Sequence, residues 1–104
     1  MVTLSFCYDP AIPFDEDYYV NKHLPLAGGV MATCGVRKVE MQKLRRTLNG
    51  LPVPYQVKTN IYFDSLAQLQ ACLKQPLWQA AVDDIRNYYG AMPEAVISFV
   101  PWAK

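Results

Sequence analysis

The sequence predicts one α+β domain whose elements follow in the order β-α-β-β-α-β. Its length of 104 residues, 52% of them hydrophobic, suits a single hydrophobic core. Apolar and polar residues alternate over 2–8 and 55–63, as they do in half-buried strands. Apolar residues recur with helical spacing after each of these stretches. Two β-α-β halves of this kind form an antiparallel sheet with two helices on one face, the ferredoxin-like arrangement.

The first strand, residues 2–8, leads through a proline-containing loop into the first helix. The helix begins near residue 14 or 15, because residues 15–17 are all acidic and negative charge suits a first turn. Pro25 lacks a backbone donor and predicts a kink or break. At about 100° per residue, the apolar side of this helix has the only histidine of the chain, His23, near its middle. That side comprises Tyr19, Val20, His23, Leu24, Leu26, Ala27, Val30 and Met31.

The rest of the chain supplies the other elements. Ser65 and Gln68 have the spacing of a capping box at the start of the second helix, and Gly90 is placed to close that helix. Pro76 divides the helix in two. The predicted elements are a strand over 35–44, a loop over 45–54, a strand over 55–63, helices over 65–74 and 76–89, and a strand over 95–102.

The last strand predicts a second copy of the chain as partner. Val96, Val100 and Trp102 share one face of this strand, and Ile97 and Phe99 share the other, so that both faces are apolar. Helices can cover only one face of the sheet. We therefore expect a homodimer that packs sheet to sheet.

Charge and cysteine content exclude several classes of partner. A net charge of +1 gives no electrostatic footprint for nucleic acid. No apolar run approaches the length of about 20 residues that spans a membrane. Cys7, Cys34 and Cys72 are odd in number and lack metal spacing, which predicts reduced, buried thiols and a cytoplasmic protein. No nucleotide-binding glycine pattern occurs, and one histidine without clustered thiolates or carboxylates gives no complete metal site.

Three motifs spread over most of the chain resemble the EthD family, named for ethyl tert-butyl ether degradation. They are Phe14-Asp15 with Tyr18-Tyr19 and His23-Leu24-Pro25-Leu26, then Ile61 to Leu66, then Asp84 to Tyr88. The resemblance implies one EthD-like domain over 1–104 and the dimeric α/β-barrel fold. It also implies relatives among cofactor-free monooxygenases, lactone isomerases and polyketide cyclases. Their substrates are small, often aromatic, and lie between the helices and the sheet.

His23 is the residue that we expect to carry the chemistry. A partly desolvated imidazole has a lowered pKa and can accept a proton as a general acid/base. Tyr19, one turn earlier, is its candidate hydrogen-bond partner. The alternative is a structural histidine that binds a buried carbonyl near Pro25. Haem ligation by His23 alone is a further alternative. The candidate substrate-binding residues are Tyr8, Tyr18, Tyr62, Trp78, Asn87 and Phe99.

These observations favour a small homodimeric enzyme that acts without a tightly bound cofactor on a small hydrophobic or aromatic metabolite. The reaction would be of the isomerase, lyase or monooxygenase type, with His23 moving protons. A non-catalytic accessory protein that binds such a metabolite would use the same residues. A purely structural dimer without a ligand is the third alternative.

Overall fold

The computed structural model describes all residues from 1 to 104 and confirms the ferredoxin-like arrangement. Four antiparallel strands lie in the order β2-β3-β1-β4, and the helical segments lie on one face of this sheet. The strands are β1 (Val2–Tyr8), β2 (Lys38–Lys43), β3 (Val57–Phe63) and β4 (Glu94–Phe99). The helical segments are α1 (Glu16–Tyr18), a π-helical turn (Tyr19–His23), α2 (Leu24–Thr33), α3 (Leu66–Leu73), α4 (Pro76–Asp84) and a 3-10 turn (Ile85–Asn87). None of these helices is both long and apolar enough to cross a membrane.

The register of the two central strands places the core. Val2 lies opposite Phe63 and Leu4 opposite Ile61, so these four side chains share the face that the helices cover. All four are buried, and burying each contributes about 1.5–3 kcal/mol. They pack against a group of helical residues comprising Val30, Leu69, Cys72 and Trp78. A second, aromatic cluster lies at the other end of β1 and comprises Tyr8, Tyr19, Val57, Ile85, Tyr88 and Tyr89.

The first helical segment is continuous through Pro25, so of the predicted kink or break the break does not occur. The segment begins next to Asp15, as predicted, and Asp15 is its N-cap, because its carboxylate accepts a hydrogen bond of 3.1 Å from the Tyr18 amide. The segment widens into the π-helical turn just before the proline, where the Leu24 amide donates to the carbonyl of Tyr19. A π turn spaces its hydrogen bonds one residue further apart than an α-helix does. Two residues of the predicted apolar side are exposed, Val20 at 44% and Leu26 at 41%.

Several element ends differ from the predicted ones. The strand predicted over 35–44 begins only at Lys38, because Gly35 adopts φ +70° in the turn after α2. The strand predicted over 55–63 begins at Val57, and the helix predicted to 89 is α-helical only to Asp84. The last strand spans 94–99 instead of 95–102. Ser65 caps α3 as expected, accepting from the Gln68 amide at 3.2 Å, but the Gln68 side chain accepts from the amide of residue 64 and not from that of residue 65.

The sheet face that points away from the helices is polar at its centre. Asn60 accepts a hydrogen bond of 2.6 Å from Ser5 and donates to Glu40 at 3.1 Å and to Gln42 at 3.0 Å. Tyr62 donates to the same Glu40 carboxylate at 2.8 Å. These side chains come from three neighbouring strands and form what we call the outer-face network. The apolar character predicted for both faces of the last strand therefore does not extend to the centre of the sheet.

Strand β4 alone exposes apolar side chains on both faces. Val96 on the outer face is 43% exposed, and Ile97 and Phe99 on the helix face are 47% and 66% exposed. The register pairs Ile97 with Leu4 and Phe99 with Val2, whose side chains the helices do cover. The helices do not reach the edge strand. The apolar surface that the sequence predicts is thus real but confined to one edge.

Two of the three cysteines form a disulfide, so the prediction of three reduced thiols is wrong. Cys34 follows α2 and Cys72 lies in the last turn of α3, and their Cα atoms are 5.3 Å apart. Cys7 is free and buried. The pairing depends on how two helices pack over the sheet, which a separation of 38 residues in sequence does not reveal. The predicted cytoplasmic location consequently loses the argument that rested on reduced cysteines.

The disulfide should contribute strongly to stability. Cross-linking a loop of this length restricts the unfolded chain, and reduction should lower the free energy of unfolding by about 2–4 kcal/mol. Denaturant unfolding with and without reductant measures this change. Cys34→Ala should unfold identically in both conditions. A count of three free thiols in the unfolded, unreduced protein, where we expect only that of Cys7, would contradict the pairing.

Candidate active site

A cavity of about 30 Å³ lies between the sheet, the π-helical turn, α2 and α4. Its wall is mostly apolar, with Phe6 from the sheet and Trp78 from α4 among the larger side chains. The volume is enough for one or two water molecules. Five residues with polar side-chain atoms also line it: Tyr8, Tyr19, His23, Thr59 and Tyr88.

His23 and Asp84 form a pair at the edge of this cavity. His23 Nδ1 lies 2.9 Å from Asp84 Oδ2, and the two side chains are 10% and 13% exposed. The other carboxylate oxygen accepts two more hydrogen bonds, from the Tyr18 hydroxyl at 2.7 Å and from the Asn87 amide at 2.9 Å. The π-helical turn positions the histidine, and the end of α4 positions the carboxylate. Three donors from two parts of the chain therefore converge on Asp84.

These contacts determine the charges of the pair. Burial alone raises the pKa of Asp84, but hydrogen bonds from Tyr18, Asn87 and His23 outweigh it, and the pKa is lowered. Burial lowers the pKa of His23 below 6.5, and this effect exceeds the opposing influence of Asp84. Near pH 7 the carboxyl is ionised and the imidazole is neutral. Because a carboxylate only accepts, Nδ1 carries the proton of the ring.

Two tyrosines lie on the side of the imidazole opposite to Asp84. The Tyr88 hydroxyl lies 3.4 Å from His23 Nε2 and 2.8 Å from the Tyr8 hydroxyl. The first of these distances is longer than a normal hydrogen bond. Burial raises the pKa of both phenols, so both are neutral at physiological pH. A neutral imidazole and two phenols thus meet at the wall of the cavity.

Tyr19 does not hydrogen-bond to His23 as the sequence predicts. Its ring stacks on the imidazole, with centroids 5.4 Å apart and planes inclined by 19°. Its hydroxyl instead pairs with the hydroxyl of Thr59 on β3. Residues four positions apart in a helical segment lie above each other, which favours ring stacking over an end-to-end contact. Tyr19 therefore packs and orients the imidazole but does not exchange protons with it.

The other predicted substrate-binding residues divide into three groups. Tyr8 and Trp78 line the cavity. Tyr18 and Asn87 lie beside it and contact Asp84, not the cavity itself. Tyr62 and Phe99 do not line the cavity. Strand alternation turns Tyr62 to the outer face, and Phe99 belongs to the uncovered edge strand.

The sequence analysis gave Asp84, Tyr88 and Thr59 no role in a site, although Asp84 to Tyr88 is one of the motifs that resemble the EthD family. Asp84 and Tyr88 are four residues apart at the end of the second helical segment, with Asn87 between them. This spacing places side chains on one face of a helix and could have identified them as a group. The structural alternative for His23, a buried carbonyl near Pro25, is not observed, because both ring nitrogens face side chains. No cluster of three or more His, Cys, Asp or Glu side chains could hold a metal ion.

The chain matches one protein family and several solved structures. The family model for the EthD domain matches residues 14–91. An EthD family protein from Bacillus halodurans is 21% identical, with a TM-score of 0.78, over 96% of this chain and 98% of that chain. An EthD-like protein from Ralstonia eutropha is 22% identical, with a TM-score of 0.76, over 99% and 94%. A proposed antibiotic biosynthesis monooxygenase from Deinococcus radiodurans is 14% identical, with a TM-score of 0.62, over 100% and 96%. No curated protein matches the chain.

The burial of a neutral His23 predicts a pH-dependent stability. Because the pKa of His23 is lower folded than unfolded, the unfolded chain binds more protons below pH 6.5. Acidification from about pH 7.5 to about pH 5 should therefore lower the free energy of unfolding, and His23→Gln should weaken this dependence. Thermal unfolding across this pH range measures how the free energy of unfolding depends on pH.

Lys22→Gln, which changes an exposed neighbour, should keep the wild-type dependence. The carboxyl groups with lowered pKa values titrate below this range, so they do not mask the effect. An unchanged pH dependence in His23→Gln would show that the imidazole is not desolvated as described.

Proposed function

The chain belongs to the EthD family, and we propose that it is a small homodimeric enzyme that moves protons on a small hydrophobic or aromatic metabolite. It acts without a tightly bound cofactor, in a reaction of the isomerase, lyase or monooxygenase type. His23 serves as general acid/base. The observation that carries this proposal is the buried Asp84–His23 pair whose free ring nitrogen faces a pair of phenols in an apolar cavity.

The protonation states support an acid/base role. A general base must be unprotonated and close to the group that it serves. The lowered pKa of His23 keeps Nε2 free near neutral pH, and Asp84 stabilises the imidazolium that forms when this nitrogen takes a proton. A histidine that only filled space would not need a buried carboxylate with three donors. The cost of burying that carboxylate favours a chemical role.

The cavity limits the size and polarity of the ligand. At about 30 Å³ it is far below the roughly 300–1,000 Å³ of a typical ligand pocket. A ring-sized ligand therefore requires the wall to open. Met31 on α2 is part of this wall and has an adaptable, unbranched side chain. The apolar lining favours a hydrophobic ring with few polar groups.

The second candidate function is a non-catalytic protein that binds the same metabolite. The mostly apolar lining of the cavity suits a carrier as well as an enzyme. The enzyme and the carrier differ in whether protons move between the protein and its ligand. A carrier gains nothing from a base at the cavity wall. A role in ether degradation and a cytoplasmic location remain predictions from the family resemblance and the sequence.

A catalytic role predicts proton exchange on bound ligands. Ketones and lactones with acidic C–H groups, incubated with the protein in D2O, should incorporate deuterium, and His23→Gln should slow this by about 10²–10⁴-fold. NMR of the ligand measures the exchange. Binding itself is measured by the rise in melting temperature, because a ligand at 100 times its Kd stabilises by about 2.7 kcal/mol.

Two alanines of α4 provide a matched pair of variants that tests whether the ligand binds in the cavity. Ala81→Val narrows the cavity, whereas Ala80→Val adds the same atoms on the exposed side of α4. Only the first should weaken ligand binding. Binding that stabilises the protein without any exchange would favour the carrier, and no stabilisation by any phenol, quinone or lactone would contradict both functions.

The homodimer is proposed from the exposed edge of the sheet. Val96, Ile97 and Phe99 expose apolar surface on both faces of β4, and Trp102 beyond it is 78% exposed. An exposed apolar edge strand invites pairing with another chain. A second copy would cover this edge and bring the outer-face network into the interior between two sheets.

A charge on the edge strand should dissociate the dimer. Val96→Glu places a carboxylate on the outer face of β4, at a position that is 43% exposed in the single chain and apolar in the proposed interface. Static light scattering at micromolar concentration should give the dimer mass for the wild type and the monomer mass for this variant. Leu48→Glu, at a loop position that is 99% exposed, should remain a dimer. A wild-type monomer would refute the homodimer.

A further inference from the structure

We propose that Asp84, His23, Tyr88 and Tyr8 form a proton relay whose open end takes a proton from an acidic hydroxyl group of the substrate. The substrate class is therefore a phenol or an enol. The inference rests on the proposed function and names the chemistry of its ligand. It follows from counting the donors and acceptors along the chain of contacts.

The direction of the relay is set at Asp84. Its carboxylate already accepts from the Asn87 amide at 2.9 Å and from the Tyr18 hydroxyl at 2.7 Å, and it has no proton to donate. The contact of 2.9 Å with His23 therefore requires that Nδ1 donate. In the neutral imidazole the other nitrogen, Nε2, then has only a lone pair.

This lone pair selects one orientation of the two phenols. Nε2 can only accept, so in its 3.4 Å contact with Tyr88 the hydroxyl of Tyr88 is the donor. Each phenol has one proton, so with Tyr88 turned to Nε2 the 2.8 Å hydrogen bond between the tyrosines is donated by Tyr8, one of the two directions that this contact allows. The oxygen of Tyr8 is then left as an acceptor at the end of the chain. The contact at His23 is longer than a normal hydrogen bond and has to shorten for the proton to pass.

The Tyr8 hydroxyl makes one hydrogen bond, the one with Tyr88. The Tyr89 hydroxyl, whose ring packs edge-on against Tyr8, contacts the amide of Asp9 instead and accepts from it at 2.8 Å. The Tyr19 hydroxyl pairs with Thr59. Both Tyr8 and Tyr88 line the cavity. A ligand that brings its own hydroxyl proton supplies the donor that the chain lacks.

The transfer balances without any further reactant. The O–H bond of the substrate breaks, and its proton forms a new bond to the Tyr8 oxygen. The former proton of Tyr8 passes to Tyr88, and that of Tyr88 passes to His23 Nε2. Three bonds to hydrogen break and three form. The products are the oxyanion of the substrate and an imidazolium beside Asp84, while both phenols stay neutral.

The relay distinguishes substrates that carry a hydroxyl group from those that do not, whereas a simple apolar pocket does not make this distinction. A phenol or enol can donate to Tyr8, whereas an ether, an ester or a quinone without a hydroxyl offers only acceptors. Such compounds leave the buried oxygen of Tyr8 without a partner, which costs affinity. Hydroxylated rings should therefore bind more tightly than their O-methyl counterparts.

A chromogenic phenol tests the relay directly. 4-Nitrophenol is added at a pH below its solution pKa, where the free probe is neutral and the visible band of its phenolate is weak. Bound to the wild type, it should show the phenolate band, and nitrogen NMR should show His23 protonated on both nitrogens. 4-Nitroanisole, which lacks the hydroxyl, should bind at least about tenfold more weakly.

Three variants and one control variant test which residues pass the proton from the ligand to His23. Tyr88→Phe and Tyr8→Phe interrupt the relay and should bind the probe but lose at least about nine-tenths of the phenolate signal. Asp84→Asn allows an amide to donate to Nδ1, so the imidazole proton should move to Nε2, visible as the other tautomer, and the signal should fall. Tyr62→Phe removes a phenol of the outer-face network and should behave as the wild type.

The outcomes separate this inference from the proposed function. A probe that binds the wild type and stays neutral overturns the relay but leaves the binding site intact. Phenolate that persists in both Tyr→Phe variants also overturns it, because the proton would then reach His23 directly. Equal affinity for the phenol and its methyl ether contradicts the substrate class. Failure of every probe to bind contradicts the proposed function as well.

Discussion

The rest of the site depends on the hydrogen bonds that the carboxylate of Asp84 accepts. This side chain is 13% exposed, and a buried charge is tolerated only when enough donors surround it. The three donors come from the first helical segment and from the turn after α4, so the carboxylate joins two parts of the chain that meet only in the folded protein. The same bonds place the ring proton of His23 on Nδ1 and leave Nε2 as an acceptor. Stability and the tautomer of His23 therefore have one physical cause.

The π-helical turn decides where the histidine points. Pro25 cannot donate to the carbonyl four residues earlier, and the turn that precedes it accommodates this loss without breaking the helix. Tyr19 and His23 of this turn are buried together, and Val20 between them is exposed. A local constraint of the backbone thus aligns the imidazole with α4. Turns of this kind are frequent at functional sites for the same reason.

The two faces of the sheet carry different kinds of polar group. On the helix face, hydroxyls and an imidazole surround a small apolar cavity, whereas on the outer face Asn60 connects side chains from three strands. Every buried side-chain nitrogen and oxygen has a hydrogen-bond partner. A fully satisfied network can be buried against a second sheet without the penalty of an unpaired group. The outer face is therefore compatible with the proposed dimer, although its central residues are not apolar.

The sequence by itself determined the fold class, the order of the elements along the chain and the cap at Ser65, and it identified His23 as the candidate for chemistry. These features depend on periodicity, on turn chemistry and on a motif in one helical segment, all of which are local. Tertiary structure decided the rest. Asp84 meets His23 across 61 residues, Tyr8 meets Tyr88 across 80, and Cys34 meets Cys72 across 38. No local pattern encodes such contacts, because they depend on the angles at which helices cross the sheet. The partner of the histidine, the direction of its proton and the redox state of two cysteines therefore became visible only in the folded chain.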